Sequence, residues 1–374
     1  MAYGTVNADV VQSSVSGVSL GAGDATMMKN RIINGAMVID QRNSGASITA
    51  NNAAYPVDRF RMDCTQSSKG NCQQTPSATE TGYATRVAAG FTNYFAFTST
   101  SAYSVSSSDE FTITQNIEGY NIADLAWGTA NAKTVTLSFL AYSSLTGTFG
   151  GSLQNSSNTR SYPFSYTISS ANTWTTVSVT ISGETSGTWL STNGIGMRIF
   201  FSLGCGSTYS GTAGSWASSD IRSVTGATSV VGTNGATFYI TGVQLEVGSS
   251  ATGFEYRQYG TELALCQRYF QRYNNGRIAT GGWTSGTSGD YFLPFVTQFR
   301  AVPSFVANAN GQALRMGISW TNISSVTISS SESTPNFAFL AANTVSNPGA
   351  AVGDFTMIGG GGGSNPDYLF SSEL

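Results

Sequence analysis

Histidine is missing from this chain of 374 residues. That absence removes the commonest general base near neutral pH, the commonest metal ligand, and every Ser-His-Asp or Cys-His arrangement. An enzyme built on this sequence would have to rely on carboxylates, lysine or tyrosine. Charge is scarce too, at 10% of residues against about a quarter in ordinary soluble proteins. The net charge of −3 gives no electrostatic footprint for nucleic acid or an anionic membrane. No apolar run approaches the roughly 20 residues of a membrane span, so no membrane insertion is expected. The opening MAYGTVNADV is not read as a signal peptide. The four cysteines, Cys64, Cys72, Cys205 and Cys266, lack zinc-type spacing, and no EF-hand-type run is present, so no metal and no cofactor is expected. Cys64 and Cys72 could close a small hairpin loop as a disulfide, whereas a reducing cytoplasm would keep both thiols free.

What fills the polar positions instead is serine, threonine and 43 glycines. A neutral surface of hydroxyls and glycine suits strands and repeated turns better than helices. Weak charge repulsion also favours burial of surface in a stable oligomer. At this length, with 40% hydrophobic residues, two or more domains with real cores are expected.

Residues 1–28 are small and polar with a thin apolar rhythm. They read either as a disordered tail or as an arm that orders on a partner. From Lys29 the pattern changes. Arg31–Asp40 is apolar enough for a buried strand, and Pro56–Asp63 begins another, with Asp58 and Arg59 in a structural, hydrogen-bonded role. Strands then follow at sandwich-like spacing: Tyr83–Ala88, Tyr94–Thr98, Phe111–Ile117, Thr134–Tyr142, Tyr162–Ile168, Thr175–Ile181, Gly196–Leu203 and Thr237–Leu245. Period-two alternation, as in Val135, Leu137, Phe139 and Ala141, marks sheets with one buried face. The expected fold is all-β: an antiparallel jelly-roll or β-sandwich domain over 29–259, a short connecting helix over 260–276, and a second, smaller β-sandwich over 277–374. The Gly/Ser/Thr-rich insertion from Gly204 to Thr233 carries Tyr209 and Trp216. These either stack on a sugar or a neighbouring subunit, or cover their own sheet edge.

At the joint, Thr261 is expected to cap a helix with Glu262 in its first turn. Leu263, Cys266, Phe270 and Tyr273 are spaced 3, 4 and 3, a heptad-like stripe. It packs either on its own domain or against symmetry copies at an oligomer axis. In the C-terminal region, Gly359–Gly363 has no phosphate-loop Lys-Ser/Thr after it, so nucleotide binding is not expected.

Two motifs resemble tail-fibre and related virion proteins of tailed bacteriophages. The first is Lys29-Asn-Arg-Ile-Ile-Asn-Gly-Ala-Met-Val-Ile-Asp-Gln-Arg42, continued by Tyr55-Pro-Val-Asp-Arg-Phe60. The second runs from Phe238-Tyr-Ile-Thr-Gly-Val-Gln-Leu-Glu-Val-Gly248 through Phe254-Glu-Tyr-Arg257 to Tyr269, with Gly253 and Gln258 where the family has prolines. Between them, Leu125-Ala-Trp-Gly-Thr, Lys133–Phe139 and Thr173–Ile181 resemble a carbohydrate-module-like jelly roll. The resemblance spans about 29–275. It implies a virion protein made in the host cytoplasm, commonly a homotrimer, with residues 1–28 docking on other virion proteins and the distal parts meeting the host surface.

Three functions follow as expectations. The leading one is a non-enzymatic tail fibre that attaches to host-surface glycans, for which Tyr209, Trp216, Trp283 and Trp320 are the aromatic candidates. The second is a capsid decoration, head fibre or tail collar with a purely structural role. The third is a glycan depolymerase using two of Glu110, Glu118, Asp124, Glu184 and Asp220. No spacing pairs these carboxylates, and the strand repeats of a β-helix are missing.

Overall fold

A computed structural model describes residues 28–75, 80–274, 276–307, 313–316, 319–346, 350–359 and 367–374. The side chains of 313–316 and of 319–320 fall outside that description, as do residues 1–27, the docking arm apart from Met28. The first β-unit contains β1 (Ile48–Thr49), β2 (Ala54–Val57), β3 (Phe60–Cys64), β4 (Gly70–Thr75), helix α1 (Tyr83–Ala88), β5 (Tyr94–Ser99), β6 (Glu110–Glu118) and β7 (Val135–Ser143). It continues with β8 (Gly147–Gln154), β9 (Ser161–Ile168), β10 (Thr175–Ile181), β11 (Ile195–Cys205), β12 (Ser210–Gly211), β13 (Ser223–Val224) and β14 (Thr237–Val247). Two six-stranded sheets result, ordered β1-β4-β5-β14-β7-β10 and β2-β3-β6-β11-β8-β9, with β12 and β13 as a separate parallel pair.

The two sheets enclose one core. Leu137, Phe139 and Ala141 of β7 and Phe238 and Ile240 of β14 face Phe149, Phe164, Ile199 and Phe201 of the other sheet. The strict alternation read from Val135 to Ala141 is therefore the inner face of a sandwich, as expected. Cys64 and Cys72 lie on strands of opposite sheets and stay free, with burial pushing both thiols up, to about 11 and about 12.

Three local expectations are corrected. Tyr83–Ala88 is a helical turn, begun by Gly82 at φ 82° and held by the fully buried Arg86, which donates to the Phe91 carbonyl. Residues 31–40 are buried or half-buried but not a strand. Asn34 and Met37 adopt positive φ, and the Asn34 side chain bonds the backbone of Ile39 in both directions. Gly35 presses so close to the Val243 carbonyl that a Cβ would collide with it. Pro56–Asp63 is two strands turning at Asp58 and Arg59, and both side chains are buried.

The joint differs most. Helix α2 covers Tyr259–Gln267 with Gln258, not Thr261, at its N-cap. The chain then becomes strand β15 (Phe270–Asn274), which pairs with β23 (Asp367–Ser371) in a three-stranded sheet completed by β18 (Ser304–Ala307). Aromatic-rich Phe270–Asn274 is drawn into extended form by a partner almost a hundred residues away, which no local periodicity reveals.

The C-terminal β-unit is present, and its main sheet closes on itself. Strands β16 (Arg277–Ser285), β17 (Ser288–Pro294), β19 (Ala313–Met316), β20 (Ser319–Ile328), β21 (Phe337–Thr344) and β22 (Phe355–Gly359) form a barrel, ordered β16-β17-β21-β20-β19-β22. Closure leaves that sheet no free edge. Tyr291, Leu293, Ala338, Leu340 and Ile358 belong to its buried core.

The two units meet over ion pairs whose carboxylates, Glu118 and Glu373, are largely buried. Arg268 and the Tyr269 hydroxyl both donate to Glu118, and Arg42 and Arg59 both pair with Glu373. Asp58 lies in the same network, accepting from the Gln41 side chain at 2.6 Å and from Arg42 at 3.2 Å. Burial pushes its carboxyl up to about 6, against the opposing pull of Arg42 and Gln41. The folded protein thus holds this proton more tightly than the unfolded chain. The group's contribution to stability is fully present below about pH 4 and is lost as pH rises through about 6. Carboxyl-carbon NMR is expected to show Asp58 titrating near 6; an ordinary midpoint near 4 would contradict the buried placement.

Candidate functional site

The outer face of the β1-β4-β5-β14-β7-β10 sheet carries the residues that alternate with its core positions. Asn71, Gln73 and Thr75 of β4 stand beside Tyr94, Ala96 and Thr98 of β5, then Thr237 and Tyr239 of β14, then Tyr142 of β7. Register makes a transverse row: Gln73 is opposite Ala96, Ala96 opposite Tyr239, and Tyr239 opposite Tyr142. The inward neighbours Phe95, Phe97, Phe238 and Ile240 are all fully buried, which fixes the outward direction of this row.

A groove of about 380 Å³ opens there, lined by Ser47, Asn71, Gln73, Thr75, Tyr94, Ala96, Thr98 and Tyr239. Its floor is low because Ala96 offers only a methyl group between longer neighbours. One wall is aromatic. The Tyr239 ring lies 4.8 Å from that of Tyr142 at an angle of 10°, and 4.9 Å from that of Tyr94. Trp174 closes the block, 5.6 Å from Tyr94 and 5.5 Å from Tyr142. Tyr94, Tyr142 and Trp174 are buried, while Tyr239 is half-buried and turns toward the groove.

The block is braced from the segment around α1. Arg86 pairs with Glu80 at 2.7 Å, and its guanidinium lies 4.9 Å from the centre of the Tyr94 ring. Burial pushes the Tyr239 hydroxyl up from the usual phenol range, with Glu80 adding to the shift and Thr237 opposing it. Tyr142 is raised in the same way, first by burial and then by Tyr239. Both phenols stay protonated at neutral pH. The groove therefore offers amide, hydroxyl and phenol groups that can donate and accept, beside an aromatic surface. Among its described lining residues, none carries a charge.

The residues expected from sequence lie elsewhere. Trp216 is half-buried and packs edge-on against Trp127, Trp189 and Tyr162, with its indole N–H donating to the Ser182 carbonyl. It covers its own sheet. Tyr209 lies under the Arg222 guanidinium at 4.4 Å. Trp283 is 1% exposed inside the barrel core and offers no surface to a ligand, because β16 places it on the inner side of a closed sheet. The Trp320 side chain lies outside the described residues, as do Gly360–Gly363.

The heptad-like stripe does not form. Leu263 and Cys266 are on α2, but Phe270 and Tyr273 are on β15. Cys266 packs with Ile33, Ile39 and Tyr269, Phe270 lies against Arg42, and Tyr273 meets Phe370 edge-on. Cys266 and Phe270 are 1% and 3% exposed within a single chain, so the stripe cannot serve as an oligomer axis. The carboxylates considered for catalysis are all in ion pairs: Glu110 and Asp220 share Arg222, Glu118 holds Arg268, Asp124 holds Arg31 and Glu184 holds Arg160.

Sequence reading missed Tyr94, Tyr142, Trp174 and Tyr239 as a group. The signal was an aromatic residue in the outward phase of β5, β7 and β14, where threonine or serine is the norm.

No family model matches the sequence, and no curated protein matches it. Solved structures do align with part of it. One is the enzymatically active domain of tailspike protein 4 from bacteriophage CBA120, at 11% identity and TM-score 0.30, covering 59% of this chain and 22% of that one. A second is TmCBM61 in complex with β-1,4-galactotriose, at 8% identity and TM-score 0.29, covering 59% of this chain and 99% of that one. A third is the family 11 carbohydrate-binding module from Clostridium thermocellum in complex with a β-1,3-1,4-mixed-linked tetrasaccharide, at 10% identity and TM-score 0.25, covering 55% and 96%. The chain thus spans about a fifth of the tailspike domain's length. At these scores the function has to be read from the groove itself.

Proposed function

We propose that this protein is a non-catalytic glycan-binding component of a bacteriophage particle, using the outer sheet face of its jelly roll to hold sugar. The observation that carries the glycan reading is the groove beside Tyr239. A sugar presents CH faces and many hydroxyls, and the groove supplies an aromatic edge beside the amides of Asn71 and Gln73 and the hydroxyls of Thr75 and Thr98. The placement on a particle is supported by the motifs at Lys29–Arg42 and Phe238–Tyr269. The non-catalytic reading is supported by the arginine partners of all five candidate carboxylates.

The resemblance also implies a homotrimer. Because Cys266 and Phe270 are buried in one chain, a trimer would form through other surfaces, and sedimentation of the purified protein decides between trimer and monomer.

The test is a glycan array probed with the full chain under multivalent display, followed by Tyr239→Ala. This variant is expected to weaken the best glycan about ten- to a hundredfold, on the scale of one lost stacking contact. Because Tyr239 also packs on Tyr142, Tyr94 and Trp174, circular dichroism and thermal melting of the variant are measured alongside to confirm that it is folded. An array with no glycan bound, or binding indifferent to Tyr239→Ala, would overturn the reading.

A further inference from the structure

We infer that the groove takes the terminal unit of an uncharged glycan, entering from the edge of the sheet and stopping against the Tyr239 block. This deepens the glycan reading above and rests on it.

Two observations carry it. The first concerns the two ends of the groove. At one end lies β1, the outermost strand of its sheet, with Ser47, Thr49 and Asn71 exposed around the mouth. At the other end stands Tyr239 with Tyr142 and Trp174 behind it, both only 5% exposed, while Tyr94, 3% exposed, flanks the groove on β5 beside Thr75. Their rings are packed on each other and braced by the Arg86–Glu80 pair. A saccharide lying along the row Gln73–Ala96–Tyr239 would meet this wall and could not run on across β7 and β10. From β1 to β14 the row crosses three strand spacings, about 14 Å, which is room for a short stretch of sugar rather than the interior of a polymer. A platform for internal chain segments would be open at both ends.

The second observation is electrostatic. The eight described lining residues include amides, hydroxyls, phenols and one methyl, and no arginine, lysine, aspartate or glutamate. The nearby Arg86 is fully buried and already engaged with Glu80 and the Phe91 carbonyl. An acidic terminal sugar would leave water here without a cation to meet it. A neutral one exchanges hydroxyl–water bonds for bonds to Asn71, Gln73, Thr75 and Thr98, so the groove discriminates by the absence of a partner for charge.

The test uses the full chain and three sets of immobilised probes. These are neutral linear oligosaccharides presented by their reducing ends, the same backbones capped at the free end with sialic or uronic acid, and cyclic neutral oligosaccharides without ends. Binding to the neutral linear set is expected, with acid capping or cyclisation lowering affinity at least about tenfold. Ala96→Leu then fills the floor without removing any hydrogen-bonding group, and is expected to lower affinity for the best probe at least about tenfold. Asn71→Ala at the exposed mouth is the second variant, used if Ala96→Leu fails to fold, and is expected to weaken binding severalfold.

The outcomes separate the two readings. Acid-capped or cyclic probes that bind as well as neutral linear ones, with binding still lost in Ala96→Leu or Asn71→Ala, would overturn the end-on neutral reading and leave glycan binding standing. Binding indifferent to both variants would remove the groove as the site. No binding to any probe would overturn both readings.

Discussion

Phe139→Ala is expected to lower the unfolding free energy by about 3–5 kcal/mol. Phe139 is 1% exposed at the centre of β7. Its ring spans the sandwich to meet Phe201 at 5.1 Å, Tyr166 at 5.1 Å and Phe164 at 6.4 Å, all on strands of the opposite sheet. Truncation removes the transfer energy of the ring and leaves a void that three aromatic neighbours, fixed by their own strands, cannot collapse to fill. In a unit of this size, such a loss corresponds to a fall in melting temperature of roughly 10 °C. Phe139→Leu keeps most of the contact and is expected to lose less than half as much. Calorimetry on both variants checks this. An alanine variant within about 1 kcal/mol of the parent would show that the sheets do not interlock at this residue.

That expectation was readable in the sequence, because Val135, Leu137, Phe139 and Ala141 share one phase of a period-two pattern. So was the outward phase of β10, with Thr176, Ser178 and Thr180 opposite Leu140, Ser138 and Thr136 in the adjacent strand. What could not be read was anything decided by distant partners. Gly147–Gln154 carries three glycines and few apolar residues, yet β8 forms because β9 and β11 pair with it on both sides. Tyr83–Ala88 has strand-like aromatic and β-branched content, but a fully buried Arg86 dictates a helix. Phe270 and Tyr273 keep helical spacing after Cys266, while pairing with β23 pulls them straight.

The candidate site shows the same division. Tryptophans are the conspicuous candidates in the sequence because they are large and rare. Trp283 and Trp216 were nonetheless taken by packing, one in the barrel core and one against Trp127 and Trp189. The groove depends on smaller signals. Tyr239 follows the buried Phe238 and so must face outward, and Ala96 leaves a gap between Gln73 and Tyr239 that exists only once β4, β5 and β14 are adjacent. Period alone gives the face of each strand. The order of strands, which turns separate outward residues into one surface, comes from pairings such as β5 with β14, more than a hundred residues apart.

The other large effect is expected at the joint, where Glu373→Ala should cost about 3–5 kcal/mol. Glu373 is the carboxylate partner of both Arg42 and Arg59, and their side chains are 9%, 15% and 2% exposed. Arg59 sits 3.5 Å from the centre of the Tyr269 ring and donates to the Asn116 carbonyl at 2.5 Å, so it cannot swing into water when Glu373 is lost. Burial works against its charge, yet Glu373 and neighbouring groups hold the guanidinium more strongly protonated than usual. Removing the carboxylate therefore strands a buried cation that cannot give up its proton. Glu373→Gln keeps an acceptor without the charge and is expected to fall between the alanine variant and the parent. Replacing the pair as Arg59→Met with Glu373→Leu removes both charges together and is expected to recover most of the loss. Because Glu373 follows β23, which pairs with β15 just after α2, its loss should also loosen the coupling between jelly roll and barrel. Calorimetry is then expected to show the two units melting separately in the alanine variant and together in the parent. A variant as stable as the parent would show that the ion pairs at the joint only accompany its packing, with Tyr269, Cys266, Ile33 and Ile39 holding the units together by themselves.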